Sequence, residues 1–111
     1  MKLSQFTIYW CDLEPTYGRQ IRKTRPCAVV SPSEVNDIMG TVIVVPLTST
    51  ARQLPFYLPV QYAGRIGALA CDQIKTIDKR RVGDEFAKMT TADAKLLADM
   101  LGNLFSDSDE K

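Results

Sequence analysis

Between Lys23 and Ser49 the chain carries two short β-branched runs, each closed by proline and hydroxyl residues. The first opens on Lys23-Thr24-Arg25-Pro26, stays apolar to Val30 and stops at Ser31-Pro32. The second is Thr41-Val42-Ile43-Val44-Val45, ending in Pro46-Leu47-Thr48-Ser49. Branched side chains are stiff at χ1 and suit a pleated surface, so both runs predict strands. Paired antiparallel, the start of one lies beside the end of the other. Arg25 and Thr48 then share one end of a small sheet. A guanidinium fork beside a hydroxyl is a good receptor for phosphate oxygens, and this end of the sheet is the expected functional site.

The remaining segments fit the same small sheet. Phe6 to Leu13 alternates as a strand with Phe6, Ile8 and Trp10 on one face, and Glu14-Pro15-Thr16-Tyr17-Gly18 ends it in turn chemistry before a basic loop. Ser31-Pro32 is expected to cap and open one short helical turn that closes near Gly40. Thr41 to Leu47, branched on both faces, predicts a central strand, whereas Pro59 places Phe56 to Val60 at an edge. Gly64 and Gly67 flank Arg65, and Ala68 to Ile77 follows as one long strand or a bent pair. Lys79-Arg80-Arg81 is a charged turn, and Glu85 to Met89 a last short strand. From Thr90 the apolar period becomes helical through Leu97, Met100, Leu101, Leu104 and Phe105, with Thr90 and Asp93 placed like a capping box. The expectation is a single domain over residues 1–106, mostly β, of five to seven short antiparallel strands forming a small barrel, with a C-terminal helix over about 91–105 and an acidic frayed tail at 107–111.

Charge and composition limit the function classes. The net charge is only +1, but the last five residues hold three acids and one base, so residues 1–106 carry 13 basic and 10 acidic groups. The bases cluster at Arg19, Arg22, Lys23 and Arg25, and again at Lys75, Lys79, Arg80 and Arg81. Convergence of the two clusters on one surface would make an anion-binding groove. The three cysteines have no paired spacing, and the absence of histidine removes the commonest metal ligand. No metal or other cofactor is expected. The start of the chain has no apolar signal-peptide core, and Val42 to Leu47 is far too short to cross a bilayer, so a cytoplasmic protein without a membrane partner is expected.

Several motifs in one register resemble the MazF/PemK/Kid family of bacterial toxins. They are Ile8-Tyr9-Trp10-Cys11-Asp12-Leu13-Glu14-Pro15-Thr16, Thr24-Arg25-Pro26, Val29-Val30-Ser31-Pro32, Val45-Pro46-Leu47-Thr48-Ser49 and Asp72-Gln73-Ile74-Lys75-Thr76-Ile77-Asp78. The order and spacing agree over roughly residues 7–105. The resemblance implies an SH3-like barrel of the type shared by CcdB and MazF, a homodimer, and sequence-specific, metal-independent cleavage of single-stranded RNA. It also implies a cognate antitoxin whose disordered tail blocks the RNA groove. Arg25 stands at the arginine of the family's Arg-Pro motif, Thr48 at its catalytic threonine, and Asp72 where one branch has a site aspartate. Phe6-Thr7 replaces the usual Gly-Asp before the first strand. Arg19 and Ala70 stand where another branch has histidine and arginine, which sets this chain nearer the branch built on the Arg25–Thr48 pair.

Such cleavage uses the 2′-OH as nucleophile and leaves a 2′,3′-cyclic phosphate and a 5′-OH. Arg25 and Thr48 suit the charge that builds on the phosphate, where one preorganised donor contributes about 10²–10³-fold. Without histidine, proton transfer falls to a carboxylate with a raised pKa, to a perturbed arginine or to water, with Asp72 the candidate base. Tyr17, Arg19, Arg22 and Lys23 are expected to close over the RNA, with Tyr17 as a stacking platform. Gln73, Lys75, Lys79 and Arg80 are expected to contact bases and phosphates. Two rivals remain open: a CcdB-type gyrase poison, although the only tryptophan, Trp10, is far from the C-terminus, and an RNA-binding barrel without catalysis.

Overall fold

The structure is a computed structural model that describes residues 2–13, 24–49 and 53–107. Among them seven strands form one antiparallel sheet: β1 (Thr7–Asp12), β2 (Thr24–Val29), β3 (Thr41–Thr48), β4 (Tyr57–Tyr62), β5 (Arg65–Ala70), β6 (Lys75–Asp78) and β7 (Val82–Lys88). Helix α1 (Ser33–Ile38) joins β2 to β3, and α2 (Thr91–Leu104) follows β7. The order is β4-β5-β3-β2-β1-β7, with β6 also paired to β3. The sheet curls into a half-barrel with β3 at its centre and β4, as Pro59 predicts, at an edge.

Both faces of the central strands are buried, which is why their sequence is apolar without strict alternation. Tyr9, Cys11, Cys27, Val29, Val42 and Val44 point into one core, closed by Ile77 and Val82. Ile8, Ala28, Val45 and Leu47 point into a second core, closed by Leu58, Leu69 and the fully buried Leu97 of α2. One residue's shift along β2 or β3 would exchange the two sets, so the two cores fix the register that positions the site.

Two prolines inside central strands are explained by the backbone alternation. The Val30 N–H donates to Ile43 O at 2.9 Å, so Ile43, Val45 and Leu47 turn their backbone groups toward β2 and the residues between them turn away. Pro46 therefore has its missing donor at the split where β6 has ended at Val44 and β5 begins at Leu47. Pro26 has its missing donor toward β3, one step beyond the Cys27–Pro46 pair and opposite Leu47. Pro46 therefore interrupts no ladder, whereas Pro26 removes the one bond to Leu47 O and leaves that carbonyl available to a side chain.

Helix α1 begins one residue later than expected. Pro32 is its N-cap, with no side-chain cap, and Ser33 is the first helical residue. The Ser31 hydroxyl is buried and engaged elsewhere, donating to Asn36 Oδ1 at 2.5 Å and accepting the Ile43 N–H at 3.1 Å. Burial among specific partners has outweighed the capping role. At α2 the Thr90 hydroxyl accepts the Asp93 N–H at 3.1 Å. The return half of the box runs through Tyr62, whose hydroxyl donates to Asp93 Oδ2 at 2.6 Å and accepts the Thr90 N–H at 3.0 Å. This relay ties the helix start to the β4 edge. The last strand is longer than the expected Glu85 to Met89, running from Val82 to Lys88.

Candidate active site

Strands β2, β3 and β5 end together around a cleft of about 290 Å³. From β2 it receives Thr24, Arg25 and Pro26, from β3 Leu47 and Thr48 with Ser49 just beyond, and from β5 Arg65, Ile66 and Gly67, together with Trp10 of β1. Arg25 and Thr48 therefore do share one end of the sheet. The half-buried Arg25 guanidinium donates from Nη1 to Leu47 O at 3.4 Å, the carbonyl that Pro26 leaves without a backbone donor. An Arg-Pro pair at this register thus anchors the guanidinium beside Thr48. The anchor uses one of the five donors of a fork whose planar geometry matches an anion's oxygens.

Thr48 is positioned from the other side. It pairs with Ala68, and a Cβ placed on neighbouring Gly67 would run into the Thr48 carbonyl oxygen. Only glycine permits this approach of β5 to β3. The preceding β4–β5 connection is the two-residue Ala63-Gly64 turn with φ of 52° and 75°, which suits a tight hairpin and sets Arg65 opposite Tyr62.

Arg65 and Trp10 were not expected in the site. The Arg65 guanidinium carbon lies 5.5 Å from the Trp10 ring centroid and 5.9 Å from that of Phe86. Phe86 meets Trp10 edge-on, with centroids 5.4 Å apart and planes at 87°. It is the extra residue of a bulge, since Ile8 pairs with Ala87 and Tyr9 with Glu85. The Ala63-Gly64 pair was the sequence signal that could have placed Arg65 at a hairpin edge; nothing in the sequence marks the bulge.

The other expected residues lie apart from this pair. Asp72 is exposed in a 3-10 turn, Cys71–Gln73, four residues beyond the Ala68 that faces Thr48, and does not line the cleft. Gln73 lies half-buried in the same turn. Lys75 Nζ donates to Leu13 O at 3.4 Å and Lys79 Nζ to Asn36 O at 2.6 Å. Asp78 pairs with Thr41, so Lys79 and Arg80 follow the start of β3, seven residues from Thr48 and on the order of 20 Å along the strand. Arg80 grips Asp78 with two bonds of 3.0 Å, and that grip holds the Asp78 carboxyl down at about 2. Tyr17, Arg19, Arg22 and Lys23 lie outside the described residues.

All three cysteines are buried free thiols. The hydrogen bond with Cys11 and burial push the Cys27 thiol far above its usual value, and burial pushes Cys71 up to about 11. Neither is suited to nucleophilic work.

Comparison with known proteins agrees with this geometry. Residues 4–105 match the family described as PemK-like, MazF-like toxin of type II toxin-antitoxin system. The chain is 33% identical over 76 residues to the endoribonuclease toxin MazF of Escherichia coli K12, covering 68% of each chain. It is 30% identical over 102 residues to the Escherichia coli endoribonuclease PemK, covering 87% of this chain and 75% of that one. Among solved structures, MazF of Deinococcus radiodurans superposes with a TM-score of 0.84 at 24% identity, over 94% of this chain and 96% of that one. A mycobacterial endoribonuclease solved with its cognate antitoxin gives 0.75 at 27% identity, over 90% and 91%. With the match spanning residues 4–105, this chain belongs to the PemK/MazF family of toxins of type II toxin–antitoxin systems.

Proposed function

We propose that this chain is an endoribonuclease toxin that cleaves single-stranded RNA at the Arg25–Thr48 cleft. The observation that carries the reading is the Arg25 guanidinium held on Leu47 O beside Thr48 in one cleft. The 2′-oxygen attacks phosphorus, a P–O2′ bond forms and the P–O5′ bond breaks. The products are a 2′,3′-cyclic phosphate and a 5′-OH. Arg25 supports the negative charge on the non-bridging oxygens, since an arginine keeps its charge through the physiological range. Thr48 donates one further hydrogen bond. The described residues lining the cleft include no carboxylate, so water takes the 2′-OH proton and supplies one to the departing 5′-oxygen. Asp72 then serves the strand turn rather than the reaction. No step requires a metal.

The partners are a cognate antitoxin, as in the mycobacterial relative, and a second copy of the chain. No helix among the described residues is long and apolar enough to cross a membrane. An RNA substrate supports a cytoplasmic location. The family match favours the nuclease over a gyrase-binding barrel. The chemistry is tested on a single-stranded RNA in EDTA, beside the same RNA with one 2′-deoxynucleotide 5′ to the cut. Cleavage of the first, with cyclic-phosphate ends, and none of the second at that position supports the reading. Cutting of the 2′-deoxy substrate, or dependence on added divalent metal, overturns it.

A further inference from the structure

Beside the phosphate-binding pair the cleft has a wall of different chemistry. Arg65 is exposed at the mouth, and among the described residues it forms no ion pair. Its guanidinium sits within cation–π range of two rings, Trp10 and Phe86. Those rings are fixed by the β7 bulge and by their edge-on contact. Arg65 is thus a planar cation with a rigid aromatic backing, set one residue after a tight turn. An arginine serving only as a phosphate tether has no need of such a mount. Exposed guanidinium planes and aromatic rings are the surfaces on which unstacked RNA bases pack.

We propose that Arg65, backed by Trp10 and Phe86, is a nucleobase subsite that receives a base flanking the scissile phosphate and thereby contributes to the choice of cut site. The base packs on the Arg65 guanidinium while its neighbouring phosphate lies at Arg25 and Thr48. Arg65 is a specificity residue in this scheme. It binds substrate and takes no part in bond making. The inference rests on the nuclease reading above.

The test combines Arg65 variants with abasic substrates. Wild type, Arg65→Ala and Arg65→Lys are assayed on one cleaved RNA oligonucleotide and on versions with a single abasic nucleotide at each position next to the cut. Stacking on one base predicts that Arg65→Ala raises KM about ten-fold with kcat nearly unchanged. Arg65→Lys keeps the charge but loses the plane, so it should not restore KM. At one flanking position the abasic substitution should raise KM for wild type by a similar factor and have no further effect in Arg65→Ala. Full recovery by Arg65→Lys, or equal abasic penalties in wild type and Arg65→Ala, overturns the subsite and leaves Arg65 a simple charge. Trp10 is the only tryptophan, so its fluorescence gives a second readout. Titration with non-cleavable 2′-O-methyl RNA should change it in wild type and lose that response when the base is abasic. Absence of any cutting by wild type would instead remove the nuclease reading itself.

Discussion

Gly67→Ala adds one methyl group at the point where β5 crosses Thr48. The added Cβ would meet the Thr48 carbonyl oxygen closer than real Cβ atoms come to any neighbour, and would stand 3.3 Å from Leu47 Cδ1. The first obstacle is backbone and cannot rotate away. The β3–β5 pair must therefore part at Thr48↔Ala68 by something on the order of 1 Å. Overpacking of this kind costs about 1–3 kcal/mol. At about 4–8 °C per kcal/mol for a domain near this size, the melting temperature should fall by roughly 4–24 °C. A misplacement of about 1 Å at a reacting group is worth on the order of 100-fold in rate, so RNA cleavage by the folded fraction should drop by about that factor. Gly102→Ala is the matched control, because a Cβ there meets nothing within 4 Å and the position lies in α2. Alanine is the better helix former by about 0.5–1 kcal/mol, so this variant should melt slightly higher and cleave like wild type. Thermal melts and initial cleavage rates of the two proteins decide the matter. If Gly67→Ala melts and cuts like wild type, the close approach of β5 does not position Thr48.

Other variants probe the supports of the fold. Tyr62→Phe removes the relay at the start of α2 and should cost about 1–2 kcal/mol in a denaturant titration, with cleavage by the folded protein unchanged. Burial and the Asp93 hydrogen bond raise the Tyr62 pKa above 10.0, so its contribution is fully present below pH 10 and is lost as pH climbs through the raised value. The alkaline fall in stability should therefore be shallower in Tyr62→Phe. Asp78, held at about 2 chiefly by the Arg80 side chain, should titrate at a higher pH in Arg80→Ala when followed by carboxyl NMR shifts, while the backbone N–H of residue 80 still keeps it below the ordinary 3.8. The stability that this pair contributes is present above the ordinary value and lost as pH falls toward 2. Alkylation followed by mass measurement should label none of the three buried cysteines in the native protein and all three after unfolding.

The sheet and the Arg25–Thr48 pair were legible because both depend on local signals. Alternation and β-branching mark β2 and β3, and antiparallel pairing of adjacent strands brings their ends together without further information. The edge strand at Pro59 and the helix after Thr90 were legible for the same reason. What failed to show was set at long range. Arg65 reaches Trp10 only because β5 folds back beside β3, and Phe86 reaches it through a bulge that no residue type announces. Lys79 and Arg80 looked able to join Arg25 in one groove, but β6 returns to the opposite end of β3 and carries them away. Asp72 lies in the turn four residues beyond Ala68 and is not among the residues that line the cleft. The Ser31 cap was displaced by Asn36, a buried partner that spacing alone does not reveal.

The central claim is that Arg25 and Thr48 hold the scissile phosphate. Its most direct test is cleavage of a mixed single-stranded RNA in EDTA by wild type, Arg25→Ala and Thr48→Ala, each shown to be folded by its melting curve. Loss of about 10²–10³-fold in each variant, with discrete cuts by wild type, is the predicted result. Wild-type rates in either folded variant would place the chemistry somewhere other than this cleft.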